Sequence, residues 1–351
     1  MRFVDIDHLE EGMIVGRDIL DIHGTILLRA GIVLNNFYIE SLKKKNFNGI
    51  YIEDDISKDI IPSDIIPHSL RMKMVEALQL ISEGEFKKDT NIREIKNVIV
   101  TVIEELINTD AYLNIIELKT VDEYLYSHSV NTTLISLLIG IELGLGKKEL
   151  YHLGISALLH DIGKKFIPRE ILDKPDKLTE QEYEEIKNHP ILGYKYAREM
   201  GFSLLVCSGI IDHHERYNGE GYPNKKREKQ ISFFGRVISI ADVYDALTST
   251  RTYRKAFPPN EAFEYIGSLS GTHFEQKIVS AFTRRIFPYP IGTIVQLSND
   301  MVGIVVKNYK SFPLRPDVKI FKINNVFIDN PCILELTKHL NVTILNAMGN
   351  I

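Results

Sequence analysis

Apolar and polar positions change period three times along the chain. Over residues 1–60 the apolar residues come in short runs: Met13-Ile14-Val15, Ile19-Leu20, Thr25-Ile26-Leu27-Leu28 and Gly49-Ile50-Tyr51-Ile52, with His23-Gly24 as a turn signal. Runs this short, bounded by turn residues, predict strands. One short helix is predicted over Asn36 to Lys45. Residues 1–60 therefore read as a small β-rich module. The next stretch, residues 61–117, reads as a linker and connecting helices. It opens within DDISKDIIPSDIIP (54–67), whose acidic side chains and two prolines suit a linker. Val75, Leu78 and Ser82 share a face, and Ile95, Ile99, Val102 and Leu106 form an i, i+4, i+7, i+11 stripe, predicting one or two helices. Residues 118–287 are almost wholly helical in pattern. In 288–351 the pattern turns β-rich again: Gly292 to Leu297 and Val302 to Val306 flank Ser298-Asn299-Asp300 as a hairpin. The expected architecture is a multidomain α+β chain, with an all-α central domain between two small β-rich modules.

Composition narrows the function. Apolar residues make up 44% of the 351 residues and charged residues 25%, ordinary for a soluble globular protein. A formal charge of -5 argues against a DNA or RNA polymer as partner but not against a small anion in a local basic pocket. Cys207 and Cys332 lie far apart, giving neither a zinc spacing nor a disulfide framework, as expected of reduced thiols in the cytoplasm. The acidic start MRFVDIDHLEEG does not read as a signal peptide. No apolar run approaches the roughly 20 residues of a membrane span.

Candidate chemistry is confined to the helical region. His128 lies on a stripe of Val121, Leu125, Thr132, Ile135 and Ile139; alone, such a histidine reads as a hydrogen-bonded core residue. His160-Asp161 ends an apolar helix just before Gly163, a helix-stop signal. A carboxylate at the negative end of a helix dipole calls for a cation, either a metal or Lys164. His189 precedes Pro190, after a helix opened by the Thr179/Glu182 capping box, and alone reads as a poor N-cap. His213 and His214 are adjacent, which on a helix turns them about 100° apart, towards two metals or with one merely structural. Gly219 and Gly221 allow a tight loop that brings Tyr222 close to a ligand. Asp242, in an apolar helix, is costly without a cation; it is assigned as a ligand, with Asp245 one turn on standing behind the ligands, as its partner or as a cap for a neighbouring segment. Singly these signals are weak. Together they supply nitrogen and oxygen donors on successive helices, too many for one structural ion. Such mixed donors suit iron or manganese and tolerate zinc, cobalt or nickel. Two-metal centres are a standard device for phosphoryl hydrolysis. Arg251 and Arg254, three residues apart, fit an anionic substrate.

HDIGK (160–164), HP (189–190), HHERYNGEGYP (213–223) and IADVYDALTSTRTYR (240–254) together resemble the HD-GYP domain, a subgroup of the HD phosphohydrolase superfamily of bacterial signalling. The resemblance covers about residues 118 to 285. It implies an HD-type helical catalytic domain that hydrolyses cyclic di-GMP to pGpG, to GMP or to both. It further implies that His128, His160, Asp161 and Asp242 hold one metal. Asp161 would bridge to a second metal held by His189 and His213, with His214 nearby. Lys164 would contact the scissile phosphate and protonate the leaving oxygen, making Asp161 and Lys164 the catalytic pair. Tyr222, Arg251 and Arg254 would contact substrate together with Lys164. Family members that bind a third metal carry Glu four residues before the first histidine. Here that residue is Tyr124, and Glu123 is about 100° away around the helix. Two divalent ions, iron or manganese, and pGpG as main product are therefore expected. Asn218 replaces the usual Asp before Gly219, and both suit a turn.

Two other readings remain open: a cyclic-dinucleotide-binding effector with little turnover, and a phosphodiesterase for another cyclic dinucleotide. A homodimer and a signalling partner protein are open by analogy only.

Overall fold

The computed structural model describes residues 1–21, 24–45, 47–62, 64–82, 88–109, 124–174, 176–249 and 256–350, without the side chains of residues 88–91 and 124–125. His23, Val121, Glu123, Arg251 and Arg254 fall outside these residues, as does the Tyr124 side chain. The order of elements follows the changes of period. First come β1 (Arg2–Asp5), β2 (Ile14–Val15), β3 (Ile19–Leu20), β4 (Ile26–Leu28), α1 (Asn36–Lys44) and β5 (Gly49–Glu53). β1, β5 and β2 form an antiparallel sheet in that order, and β3 pairs with β4. Val4, Val15, Leu34, Leu42 and Ile50 make their shared core. Asn35 caps α1 by accepting from the Tyr38 amide.

The helical part begins with α2 (His68–Ser82) and α3 (Lys88–Asn108). There follow α4 (Tyr124–Glu142), α5 (Lys147–Leu158), α6 (Arg169–Leu172), α7 (Glu180–Ile186), α8 (His189–Glu199), α9 (Leu204–Asp212), α10 (Phe233–Thr248), α11 (Pro259–Ser268) and α12 (Gln276–Arg285). Ile95, Ile99, Val102 and Leu106 are buried, so the stripe read from sequence is the face α3 turns into the bundle. α4 is buried on every side over residues 128–140, because α2, α5, α10 and α12 all pack on it. Tyr244 meets Phe282 edge to face at 5.1 Å, tying α10 to α12. Among the described residues no helix is long and apolar enough to cross a membrane.

The C-terminal part is a five-stranded antiparallel sheet of β6 (Ile294–Leu297), β7 (Met301–Lys307), β8 (Asp317–Ile323), β9 (Val326–Glu335) and β10 (Ile344–Met348). The strand order is β10-β6-β7-β8-β9. The hairpin foreseen from sequence is β6 and β7, paired Ile294 to Ile304 around a turn at Asp300.

The acidic segment 54–67 does not hang free as a linker. Ile56 and Ile60 pack with Ile294, Ile304 and Phe321 of the C-terminal sheet, while Ile65 and Ile66 enter the helical core. Its carboxylates find cations: Asp54 with Arg2, Asp59 with Lys319 and Asp64 with Arg17. The chain ends meet as well. The Phe3 amide donates to the Gly292 carbonyl, the Asp5 amide to that of Gly349, and Arg2 to Asn350.

Replacing Ile99 with Ala tests the docking of α3, because this fully buried side chain packs against Gly154 of α5. A loss of about 2–5 kcal/mol in urea denaturation is expected; a loss below about 1 kcal/mol would contradict the packing.

Candidate metal centre

The site lies where α4, α10 and the ends of α5, α7 and α9 converge. α5 stops at Leu158, and a 3-10 turn over Ile162–Phe166 carries HDIGK. Gly163 lets this turn touch the start of α8: a Cβ there would lie 1.9 Å from the His189 carbonyl oxygen and 2.5 Å from the Gly193 amide. Gly163 was read as a helix stop, but close approach is what demands it. α7 opens with the Thr179/Glu182 capping box read from sequence, and His189 is the first residue of α8, just ahead of Pro190.

Seven side chains assemble into two groups of donor atoms: Asp161, His189, His213 and His214, and His128, His160 and Asp242. Within each group the donor atoms lie within 4.8 Å of one another. Asp161 faces both. Its Oδ2 is 3.7 Å from His128 Nε2 and 3.4 Å from His160 Nε2, and its Oδ1 is 3.2 Å from His189 Nε2 and 3.9 Å from His213 Nε2. Asp242 Oδ1 lies 3.0 Å from His128 Nε2, and Asp242 Oδ2 lies 3.6 Å from His214 Nδ1. All but His214 are buried.

The rings are fixed from behind. Nδ1 of His160, His189 and His213 donates to the carbonyl three residues earlier, Ala157, Ile186 and Ile210, at 2.8, 2.7 and 2.6 Å. His128 Nδ1 donates to Asp245 Oδ2 at 2.8 Å. With Nδ1 engaged, each Nε2 is turned inward as a donor for a cation. His160 Nε2 and Asp161 Oδ1 are buried with no hydrogen-bond partner. Orphaned polar atoms of this kind are costly. Inward imidazoles around a shared carboxylate fit divalent metal ions, and the donor set suits them chemically.

Burial pushes the Asp161 carboxyl up, but Lys164 and His160 overcome it and hold the acid well below its usual range. Asp242 is held low in the same way, by His128 and His214 against burial. Burial and neighbouring His214 keep His213 well below the ordinary histidine range. For His128 burial opposes the charged form, yet Asp242 and Asp245 win and raise it to about 9.

The structure adds three details that the residues alone left open. α9 ends at Asp212, so His213 and His214 follow it in a turn, and both lie in the Asp161–His189 group, as the family resemblance implies. Asp245 stands behind a ligand-type side chain as expected, and the one it bonds is His128. And the loop carrying Tyr222 depends on groups that were not foreseen. Glu215, buried, accepts from the amides of Asn224 and Lys226 at 2.6 and 3.0 Å. Asp212 accepts from Lys226 Nζ and the Ser232 amide at 2.7 and 2.8 Å. Gly221 brings the loop back onto Glu215 and Arg216, where a Cβ would lie 2.3 Å from the Arg216 amide nitrogen. Tyr222 then stacks on His214 with ring centroids 4.7 Å apart. Burial raises the Tyr222 phenol, so it stays a neutral donor. Asp212 and Glu215, two carboxylates flanking the histidine pair at the head of a glycine-bearing motif, were the signal available in the sequence. Lys164 Nζ lies 2.5 Å from Asp161 Oδ2 and is partly exposed.

Residues 112–278 match the HD domain family, and residues 294–350 match the KOW domain associated with HD domains. The helical part thus matches the HD domain family over most of its length, and its HDIGK and HHERYNGEGYP motifs resemble those of the HD-GYP kind. The chain is 37% identical over 213 residues to cyclic di-GMP phosphodiesterase PA4108 of Pseudomonas aeruginosa, covering 60% of this chain and 51% of that one. It is 31% identical over 202 residues to cyclic di-GMP phosphodiesterase PdeB of Borreliella burgdorferi, covering 58% and 53%. It is 32% identical over 205 residues to 3'3'-cGAMP-specific phosphodiesterase 1 of Vibrio cholerae, covering 58% and 44%. The chain spans about half the length of these curated relatives.

The raised His128 sets a pH dependence. Below about pH 9 a proton on His128 competes with any cation for Nε2, so apparent metal affinity rises with pH up to about 9. Titration calorimetry with manganese at neutral pH, in buffers of different ionisation enthalpy, is expected to show release of about one proton. Proton-neutral uptake would contradict this.

Proposed function

We propose that the protein is a metal-dependent phosphodiesterase that hydrolyses cyclic di-GMP to pGpG. The observation that carries the reading is the division of the Asp161 carboxylate, one oxygen towards His128 and His160 and the other towards His189 and His213. The identities to two relatives named cyclic di-GMP phosphodiesterases supply the substrate class. In this reading His128, His160, Asp161 and Asp242 hold one divalent ion, and Asp161, His189, His213 and His214 the other, with iron or manganese preferred. When bound, the two ions supply an activated water and neutralise charge on the phosphate.

The chain's own residues do the rest. Lys164, beside Asp161 at the partly exposed rim, contacts the scissile phosphate. As the P–O3' bond breaks it delivers a proton to the departing 3'-oxygen, while the phosphate stays on the 5'-oxygen of pGpG. Tyr222, neutral and stacked on His214, forms one wall for a base or ribose. Arg251 and Arg254 supply further positive charge for the second phosphate. With Tyr at 124 in place of Glu, two ions are expected, and the reaction stops at pGpG. The identity to a 3'3'-cGAMP-specific enzyme favours one second reading, a hybrid cyclic dinucleotide as substrate.

The decisive assay uses anaerobically purified protein loaded with iron or manganese. Metal per chain is measured, and products from cyclic di-GMP and 3'3'-cGAMP are separated by chromatography. About two ions per chain and pGpG as early product are expected. Asp161→Ala should lose metal and turnover together, the latter by at least about 10³-fold. No turnover of either dinucleotide by the loaded protein would refute the enzyme.

A further inference from the structure

His128 is held by a chain of polar groups that leaves the HD motifs altogether. Its Nδ1 donates to Asp245 Oδ2 at 2.8 Å. The other oxygen of Asp245 accepts from Asn131 Nδ2 at 3.0 Å. Asn131 Oδ1 in turn accepts from Arg71 Nη1 at 2.6 Å. His128, Asn131 and Asp245 are buried, and Arg71 is half-buried on α2. The chain thus runs through three helices, from α2 to α4 to α10 and back to α4.

The chemistry of each group fixes its direction. Guanidinium only donates, the amide accepts at oxygen and donates at nitrogen, and the carboxylate accepts at both oxygens. With Arg71 on its oxygen, the Asn131 amide cannot flip without placing its NH₂ against a cation. With Asn131 and His128 on its two oxygens, the Asp245 carboxylate cannot rotate. Buried bonds in series polarise one another.

We propose that Arg71 is a positioning residue for the metal centre. Through Asn131 and Asp245 it locks the His128 ring with Nε2 towards Asp242 and Asp161. The inference rests on the metal-centre reading above. It adds a residue of α2, outside the matched HD region, to the set on which one of the two ions depends.

Partners behind a metal ligand commonly contribute about 10–100-fold in affinity. Equilibrium dialysis of the metal-freed protein against manganese resolves the two sites. Arg71→Ala is expected to weaken one site about 10–100-fold and leave the other unchanged, because the chain reaches only the His128 group. Asn131→Asp, equal in size but setting carboxylate against carboxylate, should weaken the same site. Ser82→Ala is the control: its hydroxyl ties α2 to Tyr126 at 2.9 Å, so it loosens α2 without touching the chain to His128. It should bind manganese like the parent. Circular dichroism checks that each variant is folded. Unchanged binding by Arg71→Ala, or equal weakening by Arg71→Ala and Ser82→Ala, overturns the proposal. No manganese binding by the unaltered protein overturns the metal-centre reading itself.

Discussion

A carboxylate buried among imidazoles is the constraint on which the helical domain is built. Asp161 retains little exposure, and taking an ionised carboxylate out of water costs several kcal/mol unless positive charge replaces the water. Lys164 meets one oxygen, and histidines from α4, from just past the ends of α5 and α9, and from the start of α8 surround both. Those side chains converge only if the helices terminate or start at this point. Three of them use the convergence twice. The last carbonyls of a helix lack partners within it. His160, His189 and His213 each satisfy one with Nδ1, from three residues later, at the ends of α5, α7 and α9. Ending the helix and orienting the ring are one event, and Nε2 is left facing Asp161.

The loop after α9 obeys a second version of the same rule. Buried Asp212 and Glu215 would be unstable alone. They are neutralised or bonded by Lys226, the amides of Asn224 and Lys226, and the Ser232 amide. The loop must therefore return on itself, which Gly221 permits, and Tyr222 is delivered onto His214. Structural carboxylates place the Tyr222 ring against His214, while Asp161 and Asp242 face the donor groups. The same residue type does both jobs, and the number of backbone amides pointing at it tells them apart.

This explains what the sequence discloses. His128, His160, Asp161, His189, His213, His214 and Asp242 are conspicuous because histidines and carboxylates in apolar helices need a reason to be there. That they form a set is legible in the sequence, and the fold gathers them in two groups of donors. Asn131 and Arg71 carry no such mark: an Asn three residues past His128, or an Arg on an amphipathic helix, has an ordinary explanation. Only the crossing of α2, α4 and α10 puts them in line. For adjacent His213 and His214 the pattern leaves open whether they face one donor group or two, because the end of α9 cannot be placed to the residue from sequence; both lie with Asp161 and His189. The segment 54–67 looked like a linker because composition reports charge but not the partners, Arg2, Arg17 and Lys319, which lie far off in sequence.

Those partners give the flanking modules a physical link to the site. Residues 54–62 lie between the N-terminal strands and the C-terminal sheet, and Ile65 and Ile66 carry the same segment into the helical core. α2 begins directly afterwards. It is anchored at both ends beside the centre: Arg71 bonds Asn131, and near its end the Ile81 carbonyl accepts from Tyr196 and Lys165, the residue next to Lys164. The segment that joins the β modules therefore leads straight into the helix whose two ends bond Asn131 on one side and Lys165 and Tyr196 on the other. Packing that looks peripheral in sequence thus lies next to the helix from which the polar chain to His128 starts, because burial of Ile65 and Ile66 sets where α2 begins.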